Sequence, residues 1–209
     1  GASVTLLARD EQALTKVCQS LAKPAGQEHH SIAFDFTESL LKIEKLVTDH
    51  IKTVGPFSIL VNNTGGPPPG MASQALVEQY SAAFQQHLMM NQCLAALMLG
   101  GMKELGYGRI INILSTSVKQ PIAGLGVSNT IRGAVASWAK TLAGEVGRFG
   151  ITVNNILPGA TQTSRLQVIL ENKAKKEKKM LSEVVASEKQ KIPLRRFAEP
   201  QELAHAAVF

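Results

Sequence analysis

Aromatic residues are scarce in this chain, at 5% of 209 residues, with one tryptophan and two tyrosines. None of them interleaves with its most basic stretch, so a stacking platform for single-stranded nucleic acid is not expected. Only two cysteines occur, Cys18 and Cys93, each within a helix-like apolar pattern and far apart. That spacing argues against a disulfide-built secreted module. No apolar run approaches the roughly eighteen residues of a membrane span, and no basic stretch precedes an apolar one near the start. The expectation is therefore of no nucleic-acid partner, no membrane partner and no metal site.

Apolar residues make up 44% of the chain and charged residues 18%, a balance suited to one packed domain. Lys and Arg number 22 against 16 Asp and Glu, a net charge of +6. Half of it lies between Glu171 and Lys191, where seven lysines face four glutamates. Two readings of that stretch stand side by side. It is a solvated helical segment, or it is a basic surface that attracts an acidic partner or substrate.

Short apolar runs alternate with amphipathic ones along the whole chain. Strands are expected at Val4–Ala8, His30–Phe34, Phe57–Val61, Arg109–Leu114 and Ile151–Leu157. Between them, Leu14, Val17, Cys18 and Leu21 recur at helical spacing, as do Leu40, Ile43, Leu46, Val47 and Ile51. The longest helical pattern runs from Ala75 to Met102, with Tyr80, Phe84, Leu88 and Met98 on its inner side. A second spans about Val127 to Arg148. Continuous apolar strands are buried on both faces, so the pattern predicts an α/β sheet of parallel strands with helices on both sides.

Ligands of such sheets bind beyond the carboxyl ends of the strands. The residues there are Arg9, Asp35, Asn62 to Gly66, Ser115 to Ser117, and Pro158 to Thr163. Most are small and polar, with glycines that let a flat ligand approach the backbone. An elongated polar ligand lying across several strand ends fits this set.

Five segments then carry a resemblance: GASVTLLAR, Asn62-Asn63-Thr64-Gly65, GRIINILS ending in Ser115, ITVNNILPG from Ile151 to Gly159 with Thr163 just beyond, and IPLRRFAEPQELA. In this order and at these spacings, the chain resembles the short-chain dehydrogenase/reductase superfamily, in particular its 3-oxoacyl-[acyl-carrier-protein] reductase-like group. The resemblance implies a Rossmann-like doubly wound parallel sheet, three-layer α/β/α, in a single domain over 1–209. A substrate-covering helical segment is implied at 163–192. The first strand with its glycine-rich turn and the last strand are absent from these residues, so the fold is expected to be incomplete at both ends.

The resemblance also implies a nicotinamide cofactor, NADP(H) in preference to NAD(H). Where family members that take the unphosphorylated cofactor carry an acid, this chain has Ala8 followed by Arg9. A guanidinium suits a 2′-phosphate. Asp35 corresponds to a residue that reaches the adenine, Asn63, Thr64 and Gly65 line the adenosine side, and Pro158, Gly159 and Thr163 border the carboxamide end. A small-molecule or acyl-thioester substrate, an acyl carrier protein as its carrier, a homodimer or homotetramer, and a cytoplasmic location follow as expectations from the same source.

The catalytic pattern departs from the family. Ser115 matches its serine. Thirteen residues on, Ser128 stands where the family has tyrosine, and four further Arg132 replaces lysine. Positions 128 and 132 share one helical face, but an alkyl hydroxyl is a far weaker acid than a phenol of pKa about 10. Arg132 can hold a ribose or phosphate and cannot act as a base. His87 occupies the place of a proton-relaying asparagine, with Asn91 one turn beyond. His87 is either a relay or a packed, hydrogen-bonded histidine. The reading at this level is an NADP(H)-dependent reductase of carbonyls, 3-oxoacyl thioesters among them, with an unusual catalytic set. Its alternative is a catalytically impaired member that serves as a binding or structural protein.

Overall fold

The computed structural model describes residues 1–208; Phe209, the last residue of the expected domain, lies outside them. Five short parallel strands alternate with helices, as the apolar periodicity predicts. They are β1 (Thr5–Ala8), β2 (His30–Ala33), β3 (Ile59–Asn62), β4 (Gly108–Ile113) and β5 (Ile151–Ile156). The helices are α1 (Glu11–Ser20), α2 (Leu40–Val54), α3 (Val77–Phe84), α4 (Met90–Leu105), α5 (Gly126–Val146), α6 (Ser164–Glu177), α7 (Leu181–Gln190) and α8 (Pro200–Val208). The whole is a three-layer α/β/α arrangement.

Local chemistry sets several of these boundaries. Asp10 caps α1 by accepting from the Ala13 amide at 2.9 Å, and Ser39 caps α2 through the Leu41 amide. Gly55, at φ 90°, ends α2 in a conformation that a side chain would strain. Ile43 and Val47 of α2 then join Met90, Leu94, Met98 and Met102 of α4, and Leu142 and Val146 of α5, in one core over Leu60, Ile110 and Ile151. Each such large aliphatic side chain contributes roughly 1.5–3 kcal/mol by leaving water.

The hydrogen-bonded sheet is in two pieces, β1–β2 and β3–β4–β5. Among the described residues no ladder joins β1 to β3. Between them lies a cleft of about 500 Å³, walled by Leu7, Ile32, Phe57, Leu60, Leu94 and Met98. This corrects the expectation that every strand is buried on both faces. Ile59 and Val61 are 46% and 51% exposed and line this cleft.

Two further differences concern the long helices. The stretch expected to run unbroken from Ala75 to Met102 is interrupted by a π-turn over Gln85–Met89, between α3 and α4. Along α3, Ala83 rather than Phe84 points into the core, and Phe84 lies at the rim. The helix of Val127 to Arg148 holds as α5, its last turn tightening into a 3₁₀ turn at Gly147–Phe149.

Candidate active site

The carboxyl ends of β3, β4 and β5 are locked together by asparagines. Asn62, Asn112 and Asn155 are register partners on the three strands. Asn62 donates to the Asn112 side-chain carbonyl at 2.9 Å, and Asn112 donates in turn to Asn155 at 2.9 Å. Asn112 is completely buried. Such a ladder is stable only when its members satisfy one another. The Asn62 carbonyl oxygen, at the end facing the cleft, has no partner.

Ser115 stands two residues beyond the end of β4. Its hydroxyl oxygen accepts from the Ser117 amide at 3.1 Å, which fixes the side chain and leaves its proton free to donate. Arg132, from the second turn of α5, reaches back to the same strand end. Its Nη1 donates to the carbonyls of Leu114 at 2.7 Å and Ile113 at 3.2 Å, and its Nε donates to Ser128 Oγ at 3.3 Å. Ser115, Ser128 and Arg132 are thus gathered at one strand end. Burial, and then the neighbouring charge of Arg165, lower the Arg132 pKa. A guanidinium remains charged near neutrality all the same.

Neither tyrosine supplies a phenol at this place. Tyr107 precedes β4, at the opposite end of the strand from Ser115, and lies against Arg109. Tyr80 packs against the cluster of Ala83, Val127 and Ile131.

His87 sits in the π-turn, buried, with Nδ1 2.7 Å from the Thr64 hydroxyl. Its Nε2 has no partner. Burial first, then the positive charges of Arg132 and Arg165, push its pKa down to about 4. It is therefore a neutral imidazole at physiological pH. Thr64, expected on the adenosine side, has its hydroxyl against His87. Asn91 is also buried and lines the cleft beside Asn62, Asn63 and Thr64.

At the ends of β1 and β2, Arg9 lies 3.7 Å from Asp35, with the arginine side chain 72% exposed. Asp35 accepts from both the amide and the hydroxyl of Thr37, at 2.9 and 2.8 Å. These bonds, with a smaller contribution from Arg9, hold its carboxyl below the usual range. Gly65 and Gly159 are exposed where a flat ligand can approach, and Pro158 accepts from the Thr116 amide at 3.2 Å. Thr163 caps α6 by accepting from the Leu166 amide.

One residue of the site escapes sequence reading. Arg165, in the first turn of α6, crosses the groove and donates to the carbonyls of Gly66 at 3.1 Å and Pro67 at 3.4 Å. Its partners are nearly a hundred residues away, and its only sequence signal is its place two residues after Thr163. The segment it belongs to also differs from expectation. Leu170 and Val184, within the segment expected to cover substrate, are buried in a small core with Ala174 and Phe197, because α6 and α7 turn their apolar sides toward each other. Ile169 and Met180 stay exposed. Among the lysines, Lys173, Lys179 and Lys191 pair with Glu177 or Glu188.

Comparison with known proteins places this geometry. A family model described as short chain dehydrogenase matches residues 1–174. A Streptomyces coelicolor protein assigned as a ketoacyl reductase is 29% identical over 211 residues, covering 100% of this chain and 80% of that protein. The acetoacetyl-CoA reductase of Paracoccus denitrificans is 31% identical over 156 residues, which span 75% of this chain and 60% of the relative. L-Sorbose reductase from Gluconobacter frateurii, solved with NADPH and L-sorbose, superimposes with a TM-score of 0.90 at 28% identity, covering 100% of this chain and 80% of that one. With matching motifs, parallel topology and a polar groove at the strand ends, the chain belongs to the short chain dehydrogenase family.

Proposed function

We propose that this protein is an NADPH-linked reductase that converts a carbonyl to a hydroxyl at the end of β4. The observation that carries this reading is the convergence of Ser115, Ser128 and Arg132 on one strand end. The names of the relatives, a ketoacyl reductase and an acetoacetyl-CoA reductase, make 3-oxoacyl thioesters the first substrates to assay. The exposed lysines Lys175, Lys176 and Lys178 would suit the acidic surface of an acyl carrier protein. Self-association through α4 and α5 completes the reading.

The residues at the strand ends fit the cofactor. Arg9 is exposed and keeps donors free beyond its contact with Asp35, and no acid stands at Ala8 to repel a 2′-phosphate. Asn63, Gly65, Pro158, Gly159 and Thr163 would border the rest of the dinucleotide, and Arg132 its ribose. When bound, the nicotinamide supplies the hydride. The Ser115 proton orients the carbonyl oxygen, and the Arg132 charge opposes the negative charge that develops there. Ser128 Oγ, accepting from Arg132, keeps its own proton to hand on to that oxygen; being buried, it would regain one through a bound water or the cofactor ribose. His87, neutral and facing Thr64, serves to hold the loop after β3 against the π-turn.

The burial of Ser128 favours a second reading, binding without turnover. One experiment separates the two. Full-length protein is titrated with NADPH and NADH by fluorescence, then mixed with 3-oxoacyl thioesters while NADPH absorbance is followed. Binding with substrate-dependent loss of NADPH supports the reductase, and binding with no loss supports the second reading. Absence of binding to either nucleotide removes both.

A further inference from the structure

Two guanidinium groups point at the same spot beside Gly66. A methyl group built on Gly66 would lie 2.8 Å from Arg165 Nη2 and 3.0 Å from Arg132 Nη2. Neither arginine has a carboxylate within ion-pair distance among the described residues. Arg132 commits Nε and Nη1 to Ser128 and to the β4 carbonyls, which leaves Nη2 without a partner. Arg165 holds its neighbouring loop only through backbone carbonyls, one of them at 3.4 Å.

Like charges this close, one of them half-buried, repel each other with no counterion to offset them. Arg165 also stands in the first turn of α6, where the helix dipole disfavours a cation. The nearby imidazole of His87 is buried, its Nε2 unpartnered, and it carries no negative charge. No acid converges here, and both guanidinium groups offer only protons. Such a set recognises an oxyanion, which a planar guanidinium binds through two parallel N–H groups.

We infer that Arg132 and Arg165 form an oxyanion subsite beside Ser115, filled by a carboxylate or phosphate on the molecule that enters the groove. In that event the anion replaces the Gly66 and Pro67 carbonyls as the partner of Arg165. Placed next to the reacting carbonyl, the subsite narrows the proposed substrates toward oxo acids, and this narrowing rests on the reductase reading. The subsite itself does not. A phosphate of the cofactor is the other source of the same chemistry.

The test is calorimetric binding without turnover, on the wild-type protein and on Arg165→Met and, as a control for charge alone, Lys16→Met on the exposed side of α1. Arg165 is exposed, so its replacement leaves the packed side of α6 intact, and circular dichroism checks this. The probes are acetoacetate, inorganic pyrophosphate and the uncharged methyl acetoacetate. The expected result is anion binding that weakens at least about tenfold in Arg165→Met but not in Lys16→Met, with methyl acetoacetate indifferent to both. Dependence on Arg165 for acetoacetate assigns the anion to substrate, and dependence for pyrophosphate alone assigns it to cofactor. Equal anion binding in Arg165→Met, or no anion binding by the wild-type protein, overturns the subsite. Loss of the reductase reading in the NADPH assay leaves these outcomes unchanged.

Discussion

Thr64 Oγ1 and His87 Nδ1 lie 2.7 Å apart, tying the loop after β3 to the π-turn between α3 and α4. That bond explains why a histidine occupies a position hemmed in by two arginines. The ring stays neutral, and one of its nitrogens is held.

Protonating His87 should therefore destabilise the fold. Its pKa falls from 6.5 in the unfolded chain to about 4 in the fold, so the unfolded state binds the extra proton first. The stabilisation is complete above pH 6.5 and is lost as the pH drops through 4, by about 3 kcal/mol in all. Urea unfolding of wild type and His87→Asn across this range should show a shallower pH slope for the variant. Identical slopes would refute the assignment. His50, whose pKa is also lowered by burial, keeps a residual slope in both.

Removing the centre of the asparagine ladder should cost more than removing its end. Asn112→Leu leaves the Asn62 amide and the Asn155 carbonyl without partners, at about 2–4 kcal/mol. Asn155→Ala, at the half-buried end, should cost about 1 kcal/mol. Denaturant midpoints measure both, and a smaller loss for Asn112→Leu would show that the ladder contributes little.

If the reductase reading holds, Ser115→Ala should lower kcat by about 10²–10³-fold with little change in NADPH affinity. The wild-type rate should also show no ionisation between about pH 6.5 and 9, since neither an alkyl hydroxyl nor a guanidinium titrates there. A rate limb in that interval would point to an acid other than Ser128.

Arg9→Ala should weaken NADPH binding by about 10–100-fold and leave NADH binding unchanged, if the guanidinium meets the 2′-phosphate. Parallel fluorescence titrations give the ratio. Equal loss for both nucleotides would assign Arg9 to a general electrostatic role.

The order of elements and the strand ends were legible in the sequence because buried parallel strands are short apolar runs and ligand-facing residues follow them directly. Ser115, Ser128 and Arg132 were marked by the family resemblance, Ser115 just after β4 and the other two one turn apart on α5. The π-turn at Gln85–Met89 left no mark, since an inserted residue needs no special side chain. The ladder of Asn62, Asn112 and Asn155 depends on register across three strands, which single-strand patterns do not contain. Arg165 depends on a contact between distant segments. The apolar faces of α6 and α7 were visible, but which way they turned was decided by their packing on each other.

Gly70 donates its amide to the Gly124 carbonyl at 2.7 Å and accepts from the Gly126 amide at 2.9 Å, and any side chain on Gly126 would collide with the backbone of Ala72. The start of α5, which carries Ser128 and Arg132, is thereby riveted to the loop that leaves β3. One jaw of the groove is rigid. The opposite jaw is α6 and α7, a hairpin with its own small core, joined across the groove by the arms of Arg165. The segment between the jaws is itself tied down, Pro158 to Thr116, and Ala160 and Gln162 to Ala198.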